Sequence, residues 1–101
     1  MAGYFIVHFT IDDSEAYEQY VGEVVDLIAK HDGKLLAADD AADVIEGSFE
    51  PGRVVVVEFP SVEAGRAWYK SPEYTGLAEL RRKASTTHMM ILIESFTPPQ
   101  T

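Results

Sequence analysis

EFPSVEAGRAWYKSPEYTGLAELR, residues 58 to 81, sets the arrangement of the rest of the chain. Glu58-Phe59 closes a β-branched run, and Ser61 offers a side-chain oxygen to the free N–H groups of a helix carrying Val62, Ala64, Ala67 and Trp68. Pro72 interrupts that helix, because its ring clashes with the preceding turn and it has no N–H to donate. A second helix starts on the same spot, with Ser71 as its cap, Pro72 at its first position and Glu73 beside the positive end of its dipole. Tyr74, Leu77 and Arg81 recur three and four apart and so share a face, with Leu80 and Ala84 alongside.

Working outward, Arg53–Phe59 reads as a central strand entered through the turn Glu50-Pro51-Gly52. His88–Glu94 reads as the last strand. At the N-terminus, Tyr4–Ile11 alternates, with Tyr4, Ile6 and His8 on one face and Phe5, Val7 and Phe9 on the other. Asp12-Asp13-Ser14-Glu15 then opens a helix whose stripe is Tyr17, Tyr20, Val24, Leu27 and His31, ending near Gly33. Lys34–Ala38 is a short second strand, and Val44–Gly47 is expected to resume it after an acidic bulge or small hairpin at Asp39–Asp43.

The order βαββαβ with right-handed crossovers predicts an α+β, ferredoxin-like domain over residues 1–96. Its four-stranded antiparallel sheet has the order 4-1-3-2 and both helices on one face, followed by a loose tail at 97–101. The other sheet face is expected to carry Val, Ile or Phe from every strand, which predicts a homodimer that covers it.

Composition narrows the function. Eight basic against 17 acidic residues leave a formal charge of -9, which argues against nucleic acid and anionic membranes as partners. The absence of cysteine excludes disulfides, thiolate metal sites and cysteine nucleophiles. No apolar run approaches the ~20 residues that span a bilayer, and the expectation is a soluble, cytoplasmic protein. No glycine-rich phosphate loop, nucleophile elbow or paired-histidine zinc motif is found, so no metal and no bound cofactor are expected.

Tyr17, His31, Gly33, Glu46-Gly47, Pro51, Arg53, Glu58-Phe59-Pro60-Ser61, Ala67-Trp68-Tyr69, Ser71-Pro72-Glu73-Tyr74 and Leu80-Arg81 together resemble the DUF1330 domain family, within the dimeric α/β-barrel superfamily. The resemblance implies the ferredoxin-like fold and the dimer. It implies no single activity, because the superfamily includes cofactor-free monooxygenases, haem-degrading enzymes, isomerases, dehydratases and ligand-sensing modules. In the family an arginine and glycines are expected after the second strand, where this chain has Ala38-Asp39-Asp40.

The topology brings chemistry-bearing residues to two sheet edges. His31, Glu58 and Glu94 are expected at one, where a histidine beside a carboxylate makes a general base near neutral pH. A histidine bonded to a carbonyl for structure is the alternative. Arg81, His8 and His88 are expected at the other, with Arg81 either meeting a ligand carboxylate or pairing with an acid such as Glu46. Trp68 and Tyr74 are expected to wall a pocket for a flat or apolar small molecule, or simply to fill core. The reading is therefore a homodimer that acts on a small organic acid or apolar metabolite by acid/base chemistry without a cofactor. A non-catalytic ligand-binding or stress-related module and a haem- or oxygen-handling monooxygenase are the alternatives.

Overall fold

The computed structural model describes residues 1–98; the remainder of the expected tail, 99–101, lies outside the described residues. The elements run β1 (Gly3–Ile11), α1 (Ser14–Lys30), β2 (Lys34–Asp39), β3 (Arg53–Phe59), α2 (Val62–Lys70), α3 (Pro72–Ala84) and β4 (Ser85–Glu94). The four strands form one antiparallel sheet in the order β2-β3-β1-β4, as the sequence predicts. The chain is thus an α+β fold of ferredoxin-like topology, its second helix split in two at Ser71-Pro72.

Phe5, Val7 and Phe9 of β1 lie under the helices with Val57 and Phe59 of β3, and all five are buried with Tyr17, Tyr20 and Val24 of α1. α1 is capped at its start by Asp13, which accepts from the Ala16 N–H, and leaves through Asp32 at φ 62°. That left-handed turn lets the Gly33 N–H reach the Ile28 carbonyl and sends the chain straight into β2.

Two expectations are corrected. Val44–Gly47 forms no strand: after Asp39 the chain stays irregular until Arg53, and Gly47 turns it at φ 91°. β2 is the sheet's edge, so a resumed strand there has no neighbour to pair with beyond β3, whose partners end at Asp39↔Val54. Nor does every strand bring Val, Ile or Phe to the open face. β1, β3 and β4 do, through Ile6, Val54, Val56, Ile91 and Ile93, but the residues of β2 opposite Glu58, Val56 and Val54 are Lys34, Ala37 and Asp39. The apolar part of the open face is centred on β1 and β4, where Met89, Ile91 and Ile93 are all exposed. Among the described residues no helix is long and apolar enough to cross a membrane.

Candidate functional site

Ser71 builds the turn on which the site depends. Its hydroxyl donates to the Trp68 carbonyl at 2.7 Å, ending α2, and accepts from the Tyr74 N–H at 3.2 Å, starting α3. Trp68 and Tyr74, three residues either side, are thereby packed together, ring centroids 4.1 Å apart and planes tilted by 38°. Arg81 follows Tyr74 by seven residues, close to two helical turns, and so lies on the same face. Its Nε–H donates to the Tyr74 hydroxyl at 3.1 Å, and an Nη1–H donates to Thr87 Oγ1 on β4 at 2.8 Å. The Tyr74 hydroxyl also meets that of Tyr20 on α1 at 2.8 Å.

Arg81 is only 6% exposed, yet its two hydrogen-bond partners are neutral hydroxyls. Among the described residues the ion pairs join other groups, Lys30 to Glu73 and Arg53 to Asp40. Glu46, the acid expected as its internal partner, is exposed in the irregular segment after β2. A buried guanidinium therefore keeps its charge without a counter-ion, an arrangement that costs several kcal/mol unless something anionic answers it.

A cavity of about 160 Å³ lies between the helices and the sheet, with Arg81, Tyr74, Tyr20 and Trp68 in its lining. Phe5, Val7 and Val57 of the sheet and Val24 and Ile28 of α1 make apolar walls. Trp68 is 3% exposed, and its Nε1–H has no hydrogen-bond partner. A buried donor left this way is uncommon, because losing water without a replacement is unfavourable. Burial pushes the Tyr17 hydroxyl up to about 12, against the opposing pull of Arg53. It raises Tyr20 further, with Tyr74 adding to the effect. Both phenols thus stay protonated across the ordinary pH range.

Arg53 lines the cavity too, and also an outer depression formed with Ser14 and Glu18. Its guanidinium lies 5.6 Å over the Tyr17 ring, and Asp40 binds it through two oxygens, the longer contact being Nη2 to Oδ2 at 3.1 Å. The pairing holds the Asp40 carboxyl below its usual range and raises Arg53.

The expected trio of His31, Glu58 and Glu94 reaches one sheet edge but is not brought together. Glu58 opposes Tyr4 and Lys34 on the open face, and its charge holds the Tyr4 hydroxyl above the usual value, their hydrogen bond contributing most. Glu94 follows Met90 and Leu92 on the helix side of β4 and is exposed. His31, half-buried at the end of α1, donates its Nδ1–H to its own helix at the Leu27 carbonyl, 3.1 Å away. The carboxylate it acts on is Glu73, whose pKa is lowered first by Lys30 and slightly by His31.

The second cluster is likewise divided by the sheet. His8 lies on the open face, donating its Nε2–H to the Glu50 carbonyl at 2.8 Å and stacking on Phe49 at 3.9 Å. His88 is the extra residue in the β1·β4 register, between Thr87 and Met89. Thr10 donates its own proton to the Pro51 carbonyl, so the His88 Nε2–H must be the donor in their 2.7 Å contact. Neither histidine lines the cavity that holds Arg81. Two groups of that cavity escaped the sequence reading as site residues. Tyr20 stood out only as an apolar stripe position, and Arg53 only as the head of a strand and one residue of the family resemblance, although Asp40 was conspicuous as a departure.

Fold and cavity together define a ferredoxin-like protein with a partly open, largely apolar pocket that contains, among the described residues, one uncompensated cation. The chain belongs to the family described as Domain of unknown function (DUF1330), whose match spans residues 2–95. No curated protein matches it. Among solved structures it is similar to the RPA0582 protein of unknown function from Rhodopseudomonas palustris, with TM-score 0.75 and 17% identity over 96% of this chain and 84% of that one. It is similar to SnoaB, a cofactor-independent oxygenase from Streptomyces nogalater, with TM-score 0.67 and 19% identity over 99% and 95% of the two chains. It is also similar to a dimeric ferredoxin-like protein of unknown function from Thermobifida fusca, with TM-score 0.57 and 16% identity over 94% and 90%. At these identities the shared property is the fold.

Proposed function

We propose that this protein is a homodimer whose buried cavity takes a small organic acid at Arg81 and stabilises negative charge on it, without a bound cofactor. The observation that carries the reading is the Arg81 guanidinium, buried beside a cavity with no carboxylate of the described residues against it. A ligand anion supplies the missing partner, and the planar donors of arginine suit a carboxylate or enolate.

The chemistry that this lining supports is electrostatic. Among the described residues no histidine or carboxylate faces the cavity, and burial keeps Tyr17 and Tyr20 protonated, so these two donate to an anion and do not take its proton. Fixed donors in a water-poor site favour whichever form of the ligand carries more negative charge there. A carbon acid that has given its C–H proton to solvent water and binds as its enolate can then react with dioxygen, the enolate electron pair forming the new C–O bond and the reduced oxygen taking a proton from water as a hydroperoxide. The cofactor-independent oxygenase among the fold's relatives supports this by analogy.

The test is incubation with a panel of small organic acids in air, followed by melting temperature and by mass spectrometry of the ligand. Acids should raise the melting temperature of the wild type and not of Arg81→Met. A ligand that binds and is unchanged after hours makes the protein a binding module, and the failure of every acid to act through Arg81 removes the reading.

A further inference from the structure

We infer that the ligand is a single-ring or similarly compact apolar monocarboxylate of about the size of benzoate, and that Asp40 restricts the cavity to one negative charge. The inference rests on the reading of Arg81 as an anion site and goes further by fixing size, polarity and charge.

Size follows from the cavity volume. The cavity holds about 160 Å³. An apolar protein cavity of roughly 150 Å³ accommodates one benzene molecule. A single ring therefore fills this space, with its carboxylate directed to the Arg81 guanidinium and little room for a second fused ring. Polarity follows from the walls, which are Phe, Val, Ile and aromatic faces except at Arg81, Arg53 and the tyrosine hydroxyls. Trp68 adds an aromatic wall, its ring packed against Tyr74, the residue bonded to Arg81.

Charge follows from counting cations. Two arginines line the cavity, and they differ: Arg81 is unpaired, whereas Arg53 is held through two of its nitrogens by Asp40. The net demand is one negative charge. A dicarboxylate of similar shape has to bring its second charge into apolar surroundings, or displace Asp40 from Arg53 while that carboxylate stays nearby and repels it. Asp40 is therefore a specificity-determining residue although it does not itself line the cavity.

The experiment is calorimetric titration of the intact protein with benzoate, its neutral isostere benzamide, and isophthalate, repeated for Arg81→Met and Asp40→Asn. The wild type should bind benzoate at least about tenfold more tightly than either benzamide or isophthalate, as expected when one charge is answered and a second is not. Arg81→Met should erase the preference for benzoate over benzamide, for loss of the one unanswered charge. Asp40→Asn, which frees Arg53, should improve isophthalate while leaving benzoate within about twofold. Equal binding of isophthalate and benzoate by the wild type, or an unchanged ratio in Asp40→Asn, overturns the charge assignment. If larger acids bind through Arg81 and benzoate does not, the size assignment is wrong and the anion site stands; if no acid binds through Arg81, both fall.

Discussion

Arg81 owes its position to its helix stripe, and the sequence shows as much: three- and four-residue spacing from Tyr74 and Leu77 puts it on the buried face of α3. What spacing cannot show is which groups meet it, since the Tyr20 hydroxyl that completes the network lies 54 residues from Tyr74. Replacing Arg81 by Met removes a buried charge that no acid of the described residues compensates. The variant is expected to melt no more than a few degrees below the wild type, or above it, while losing acid binding. A large drop in melting temperature would mean that the guanidinium is chiefly structural. The tyrosines give a pH signature. Tyr17 and Tyr20 have folded pKa values raised above the ordinary value of 10.0, Tyr17 to about 12. Their contribution to stability is thus complete below pH 10 and is lost as pH climbs toward 12 and beyond, because the unfolded chain ionises first. Melting temperature should fall steeply over that window, and Tyr20→Phe should flatten the fall; a flat wild-type profile would contradict the burial. His31 was legible as a helix-terminal histidine, but its Nδ1–H is committed to Leu27 and it stands outside the cavity lining. His31→Gln is accordingly expected to leave benzoate affinity within about twofold by the same titration, and a loss of binding would move the site to that edge.

At the level of elements, the most informative residue is Ser71, whose one hydroxyl ends α2 and begins α3. The Ser-Pro pair made this break readable, because proline at the first helical position and a serine before it have a mechanism and not merely a frequency. Ser71→Ala should cost roughly 1–2 kcal/mol in urea unfolding, the usual size of a lost cap, and should loosen the Trp68–Tyr74 packing enough to weaken ligand binding as well. An unchanged midpoint would show that Pro72 alone sets the turn. The valine run of β3 was equally legible, since a strand between two neighbours needs apolar residues on both faces. The segment after β2 was not. Val44–Gly47 has strand composition, yet extended pattern yields a strand only where a neighbour offers free backbone groups, and tertiary position decides that. The same limit hid the Asp40–Arg53 pair, which joins residues 13 apart across that irregular segment.

For the whole molecule, helices cover one face of the sheet and leave Met89, Ile91 and Ile93 of β4 exposed beside Ile6 of β1 on the other. The strand order and the alternation of β1 fixed those faces from sequence, while the division of the two expected clusters by the sheet required knowing which face each side chain takes. Alternation put His8 on the face of β1 opposite Phe5, Val7 and Phe9, but edge position alone set it beside Arg81. The proposed homodimer buries this surface, and light scattering at micromolar concentration should give twice the 11.2 kDa chain mass. Ile91→Asp should reduce it to the single chain, and a wild-type particle of one chain mass would defeat the dimer. The claim on which everything else depends is that Arg81 waits for an anion from outside the protein. A high-resolution crystal structure grown with benzoate tests it most directly. The account predicts a carboxylate about 3 Å from the Arg81 guanidinium, with the ring in the cavity below Trp68 and Tyr74. An empty cavity, or an acidic side chain of a second subunit seated against Arg81, would contradict it.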